Sequence, residues 1–193
     1  MKITLYTFLV LFSLLIPAKT LAKKYVVNSQ NSFEAAHNAA SPGDTIVWEE
    51  GLYYNMDLII NKNELVIKAD TPGKTVFTGA SKVRCAGNNN TFSGFQYVKG
   101  NIGTDDVIHI TGSHNHLTQL NIQDYYCYKY VVISEESQYT TLSYCNLENR
   151  AFVGDKNILS ILVSGQQPGY HTIRYCSFKN FEGSTPGGDA GVE

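Results

Sequence analysis

Thr141-Leu142-Ser143-Tyr144-Cys145-Asn146-Leu147-Glu148-Asn149 and Thr172-Ile173-Arg174-Tyr175-Cys176-Ser177-Phe178-Lys179-Asn180 are one local pattern written twice. Upstream it recurs as Thr91-Phe92-Ser93-Gly94-Phe95-Gln96-Tyr97 and as His116-Leu117-Thr118-Gln119-Leu120-Asn121-Ile122. The first apolar residues of the four copies, Phe92, Leu117, Leu142 and Ile173, are separated by 25, 25 and 31 residues. Three positions on come Phe95, Leu120, Cys145 and Cys176, and two further on Tyr97, Ile122, Leu147 and Phe178. The last step is the period-2 alternation of a strand with one face buried. A second strand recurs between copies, as Val107-Ile108-His109-Ile110, Val131-Val132-Ile133 and Ile161-Leu162-Val163. Short β runs at a fixed interval near 25 residues, with Asn, Gly and Ser between them, predict an all-β chain coiled as a right-handed parallel β-helix.

In such a coil, equivalent residues form interior ladders about 4.8 Å apart. Cys145 and Cys176 are then neighbours in one ladder, with core packing as small apolar residues favoured and a disulfide left open. Cys85 and Cys127 carry no pairing signal, and no C-x-x-C spacing points to zinc or redox chemistry. Tyr25-Val26-Val27 and Thr45-Ile46-Val47-Trp48 read as strands on either side of a short amphipathic helix through Phe33, Ala36 and Ala40, with Ser32 as its expected N-cap. Laid over the first coil, that helix hides apolar core and strand edges that a solenoid end exposes. After Phe178 a Gly- and Pro-containing stretch runs to Glu193 without a second cap, so the expectation is the N-terminal part of a longer solenoid, truncated at its C-terminal end.

The first residues belong to no coil. Lys2, the apolar stretch Ile3–Pro17 and the small-residue exit Thr20-Leu21-Ala22 form a secretory signal peptide over 1–22, with the β-helix domain over 23–193 and a secreted or periplasmic destination. The run is shorter than the ~20 apolar residues that span a bilayer, so no membrane partner is expected after cleavage. Loss of Lys2 and Lys19 takes the formal charge from -2 to -4. The chain is 43% hydrophobic and has no basic excess, which disfavours disorder and phosphate-driven nucleic-acid binding.

Phe33-Glu34-Ala35-Ala36, Pro42-Gly43-Asp44-Thr45-Ile46-Val47, Ala69-Asp70-Thr71-Pro72-Gly73-Lys74 with Thr78-Gly79, and the closing Gly188-to-Glu193 turn resemble family 6 polysaccharide lyases. That family includes alginate lyases and chondroitinase B. The resemblance implies β-elimination on an acidic polysaccharide, with alginate favoured over dermatan or chondroitin. It implies Ca²⁺ as the cofactor beside the uronate carboxylate, and a Lys base and an Arg in coils after residue 193. Within this chain it points to Asp189 and Glu193 as metal ligands, carboxylates of the kind Ca²⁺ takes.

Among other polar residues, Tyr126, Tyr128 and Lys129 in Tyr125-Tyr126-Cys127-Tyr128-Lys129-Tyr130 combine rings that stack on sugars with a cation for uronate carboxylates, against a competing reading as packing aromatics. His109, His114 and His116 read as turn-facing imidazoles rather than a metal site. Asp105 and Asp106 read as loop-solvating acids, and Arg150, Lys156 and Arg174 as possible anionic-sugar contacts. Two other classes stay open: a noncatalytic glycan-binding β-helix of the adhesin or tailspike kind, and a β-helical glycoside hydrolase, which would need a separated pair of carboxylates.

Overall fold

The computed structural model describes residues 21–151, 159–161 and 169–179. Every strand pairs with the equivalent strand of the next coil, in parallel. Numbered in chain order, sheet A stacks seven: Lys24–Val27 (β1), Thr45–Trp48 (β2), Val66–Ala69 (β5), Thr91–Ser93 (β8), His116–Thr118 (β11), Thr141–Ser143 (β14) and Thr172–Arg174 (β17). Sheet B stacks Gly51–Tyr54 (β3), Thr75–Thr78 (β6), Phe95–Val98 (β9), Asn121–Gln123 (β12), Asn146–Glu148 (β15) and Ser177–Lys179 (β18). Sheet C stacks Asp57–Ile60 (β4), Lys82–Cys85 (β7), Asp106–Ile110 (β10), Lys129–Ile133 (β13) and Leu159–Ile161 (β16). The result is a parallel β-solenoid of three sheets.

The ladders have the expected register. Phe92 pairs with Leu117, Leu117 with Leu142 and Leu142 with Ile173. Tyr97, Ile122, Leu147 and Phe178 form a second column, and Val83, Ile108 and Val131 a third. Within these columns Phe92, Leu117, Leu142, Tyr97, Ile122, Leu147, Val83, Ile108 and Val131 are all essentially inaccessible. Each such side chain contributes roughly 1.5–3 kcal/mol by leaving water. One expected strand shifts: β16 is Leu159–Ile161, so Val131 aligns with Leu159 rather than with Ile161, while Leu162 and Val163 lie outside the described residues.

Polar ladders tie the coils together where C turns into A. Asn90 Oδ1 accepts from the Leu65 amide at 2.8 Å, and Asn115 Oδ1 accepts from the Asn90 amide at 2.9 Å. Their Nδ2 groups donate 2.9 Å to the carbonyls of Lys62 and Gly87. Both asparagines are buried, so these bonds satisfy backbone groups that water does not reach. Gly112 is required nearby because a Cβ there would lie 2.0 Å from the Gly87 carbonyl oxygen. The corners themselves are left-handed residues in column, with Glu64, Asn89, His114, Tyr139 and Tyr170 all at φ between 52° and 59°. His114, Tyr139 and Tyr170 stack ring on ring at 4.8 and 5.1 Å.

The helix Gln30–Ala39 (α1) packs against β1, β2 and β4. Its cap corrects the expectation drawn from Ser32. Ser29, extended at φ -159°, is the N-cap: its side chain accepts from the Ser32 amide while the Ser32 hydroxyl accepts from the Ser29 amide. Lys62 Nζ donates to the Asn38 and Ala40 carbonyls at the other end. Phe33 stacks on Trp48 at 5.9 Å, and Trp48 meets Phe77 edge-on at 5.2 Å, so the cap is the first layer of the core. Ser29→Ala, which removes the acceptor for an orphan amide, is expected to cost about 1 kcal/mol in urea unfolding.

Burial holds His37, His116 and His171 below the ordinary histidine value of 6.5, with Lys62 adding to the effect at His37. The unfolded chain therefore binds these protons more readily. Their contribution to stability is complete above about pH 6.5 and is lost as pH falls through the depressed folded values. The urea midpoint is expected to drop between pH 7.5 and pH 5.5, and less so in His37→Gln. Equal midpoints at the two pH values would contradict this.

Candidate functional site

On the outer face of sheet C, alternation turns residues of β4 and β7 toward solvent and leaves His109 of β10 half-buried. Ile59, Arg84 and His109 align across β4, β7 and β10 and form the floor of a groove of about 560 Å³. Lys82, Asp105 and Asp106 stand along it, and Ala86 and Thr111 line it further along the strands. Lys82 Nζ lies 2.6 Å from Asp105 and 3.9 Å from Asp57. Its hydrogen bond to Asp105 holds that carboxyl below the usual carboxylate range. Asp106 Oδ2 lies 3.0 Å from His109 Nδ1, while its Oδ1 is buried without a hydrogen-bond partner among the described residues. With Nδ1–H donated to Asp106, the imidazole keeps the Nε2 lone pair as an acceptor.

Internal pairing thus uses the two acids on Lys82 and His109. Arg84 is exposed and has no ion-pair partner among the described residues. A planar guanidinium on a groove floor is suited to bidentate capture of a carboxylate. A smaller hollow of about 240 Å³ between α1 and sheet C shares Ile59 with this groove and is lined by Glu34, His37 and Asp57. The groove therefore meets acidic side chains at its capped end.

Tyr126 and Tyr128 are 39% and 38% exposed at the B-to-C corner, where the Tyr128 amide donates to the Asp105 carbonyl at 2.9 Å. Tyr128 thereby adjoins Asp105 of the groove, while Tyr126 pairs with Asn101. Lys129 is only 2% exposed, and its Nζ lies 4.9 Å from the Tyr128 ring centroid. Arg150 donates to the Tyr128 carbonyl, which holds this corner against the next coil. Arg174 lies on sheet A, away from the groove. Lys156, Asp189 and Glu193 lie outside the described residues, as do residues 1–20 of the expected signal peptide.

The histidines do not converge: His114 stacks on Tyr139, and His116 Nε2 lies 2.8 Å from Ser143 Oγ. Among the described residues no group of three or more His, Cys, Asp or Glu is arranged to hold a metal ion. Asp105 and Asp106 are groove partners rather than the loop-solvating acids expected. The Ile59, Arg84 and His109 column escaped the sequence reading although its spacing is 25 and 25, the interval of the apolar repeat.

The family description "Chondroitinase B" matches residues 27–192. A comparison with curated proteins found no match. Among solved structures, the chain is similar to the family 6 alginate lyase AlyGC, at 19% identity and TM-score 0.68, over 81% of this chain and 26% of that one. It is similar to the family 6 polysaccharide lyase Pedsa3628 from Pseudopedobacter saltans, at 18% identity and TM-score 0.65, over 83% and 47%. A mannuronic acid specific family 6 lyase from human gut microbiota shares 18% identity at TM-score 0.63, over 78% and 39%. The chain spans between about a quarter and a half of the length of these proteins.

Proposed function

Because the chain belongs to the chondroitinase B family of polysaccharide lyases, we propose that it serves in β-elimination on a uronate-containing polysaccharide, alginate first and a dermatan or chondroitin type second, after export from the cell. The observation that carries this reading is Arg84, a cation on the floor of the sheet C groove that has no ion-pair partner among the described residues. Coils repeat about every 4.8 Å, a length close to that of one sugar residue, so a polyuronate laid along the groove meets a fresh side chain at each step. Arg84 binds a uronate carboxylate, His109 accepts a hydroxyl proton at Nε2, and Tyr126 and Tyr128 offer ring faces at the rim.

β-Elimination removes the proton at C5 and builds negative charge on the adjoining carboxylate, so the groups that matter most are those aimed at that charge. Calcium, when bound, would supply a positive charge against that carboxylate, and Asp189 and Glu193 would offer it carboxylate oxygens. Arg84 does the same work at a carboxylate further along the chain, where it holds the polymer in register. Incubation of the full-length protein, which carries the expected Lys and Arg, with alginate and with dermatan sulfate is expected to produce ultraviolet absorbance from unsaturated uronate only in the absence of a calcium chelator. Binding of either polymer without any absorbance rise would favour a noncatalytic glycan-binding solenoid.

A further inference from the structure

Cys145 and Cys176 stand immediately before β15 and β18. The pairs on either side, Ser143 with Arg174 and Asn146 with Ser177, are directly in register, and the Ser177 amide donates 2.8 Å to the Cys145 carbonyl. Their Cα atoms are thus one strand spacing apart, about 4.8 Å, inside the window that a disulfide bridges. Cys145 Sγ donates to the Ser143 carbonyl at 3.2 Å, and Cys176 Sγ to the Arg174 carbonyl at 3.4 Å.

Access to the two sulfurs is unequal. Cys145 is buried at 2% exposure, whereas Cys176 is partly open to solvent. The same column holds Phe95 and Leu120 in the coils below, so sulfur faces sulfur only at these two levels. Cys85, by contrast, sits between Ile60 and Ile110 and is inert at neutral pH, its thiol pushed up to about 12 by burial. The adjoining Cys145 thiol lowers the Cys176 thiol to about 6 while Cys176 raises that of Cys145, a division that makes the accessible sulfur the nucleophile.

We propose that Cys145 and Cys176 are a disulfide site, which a small disulfide oxidant such as oxidised glutathione closes into a covalent rung between adjacent coils. The Cys176 thiolate attacks one sulfur of the oxidant, forming a mixed disulfide and releasing one glutathione thiolate. Cys145 then loses its proton and attacks Cys176 Sγ, releasing the second glutathione. Two thiols lose two hydrogens and one glutathione disulfide becomes two thiols. The rung closes a loop of 31 residues and joins the last two coils of the described structure.

The test is equilibration of the whole chain with excess oxidised glutathione, followed by unfolding, alkylation and peptide mapping. The expected result is a loss of two hydrogens, peptides carrying Cys145 and Cys176 joined, and Cys85 and Cys127 alkylated. The melting temperature is expected to rise by roughly 5–10 °C on oxidation. Cys176→Ser, at a part-exposed position that keeps the fold by circular dichroism, is expected to show neither the link nor the shift. Alkylation of both sulfurs after oxidation, a reaction that stops at a glutathione adduct on Cys176, or a link through Cys85 or Cys127 would each overturn the proposal.

Discussion

Replacing Asn115 by alanine is expected to cost roughly 2–6 kcal/mol of stability. The side chain is buried and holds two backbone groups from the preceding coil, the Asn90 amide through Oδ1 and the Gly87 carbonyl through Nδ2. Alanine leaves both in place without partners, and each buried orphan costs about 1–3 kcal/mol. The control is Ser113→Ala, which removes a partly exposed acceptor from the Gln138 amide and should cost under about 1 kcal/mol. Urea midpoints that fall equally in the two variants would show that the asparagine ladder is not what joins the coils.

Arg84→Glu is expected to weaken polyuronate binding by at least tenfold at low salt, since a charge-assisted pair worth about 1.5–3 kcal/mol is replaced by repulsion. Asp105 and Asp106, already engaged by Lys82 and His109, would stand beside the new carboxylate, which leaves the groove without a spare cation. Affinity for alginate oligomers measured at 50 and 500 mM salt should fall with salt in the parent and change little in the variant. Arg174→Glu makes the same change in net charge on sheet A and should leave binding intact. If both variants lose affinity alike, binding follows overall charge and the groove has no special part in it.

The interior was legible because a coil repeats its demands. Phe92, Leu117 and Leu142 must each fill the same slot, so the interval could be read from apolar residues alone. Outward positions carry no such demand, which is why Ile59, Arg84 and His109 were not read as one column although they share the spacing. Gly87-x-x-Asn90 and Gly112-x-x-Asn115 are a second repeat, polar and therefore invisible to a hydrophobic search. At the cap, composition pointed to Ser32, and the extended backbone at Ser29 places the N-cap three residues earlier. Lys129 shows the converse: a lysine beside tyrosines suggested a sugar contact at the surface, but its place at the start of β13, aligned with Asp106 of the coil below, buries it. Tyr126 and Tyr128 alternate with it and reach solvent.

The cap that α1 forms over the first coil also sets how the chain can be made. Most tertiary hydrogen bonds of a given coil reach back about 25 residues, to the coil synthesised just before it, as with Asn90 to Leu65 and Asn115 to Asn90. Synthesis delivers roughly 5–20 residues per second, so a new coil emerges every few seconds onto a finished surface. The first coil is the exception, with no earlier coil beneath it among the described residues, and α1 is encoded in that coil, before β2. Phe33 and Trp48 therefore give the nascent polypeptide a closed base early, from which it can grow in the order in which it is translated.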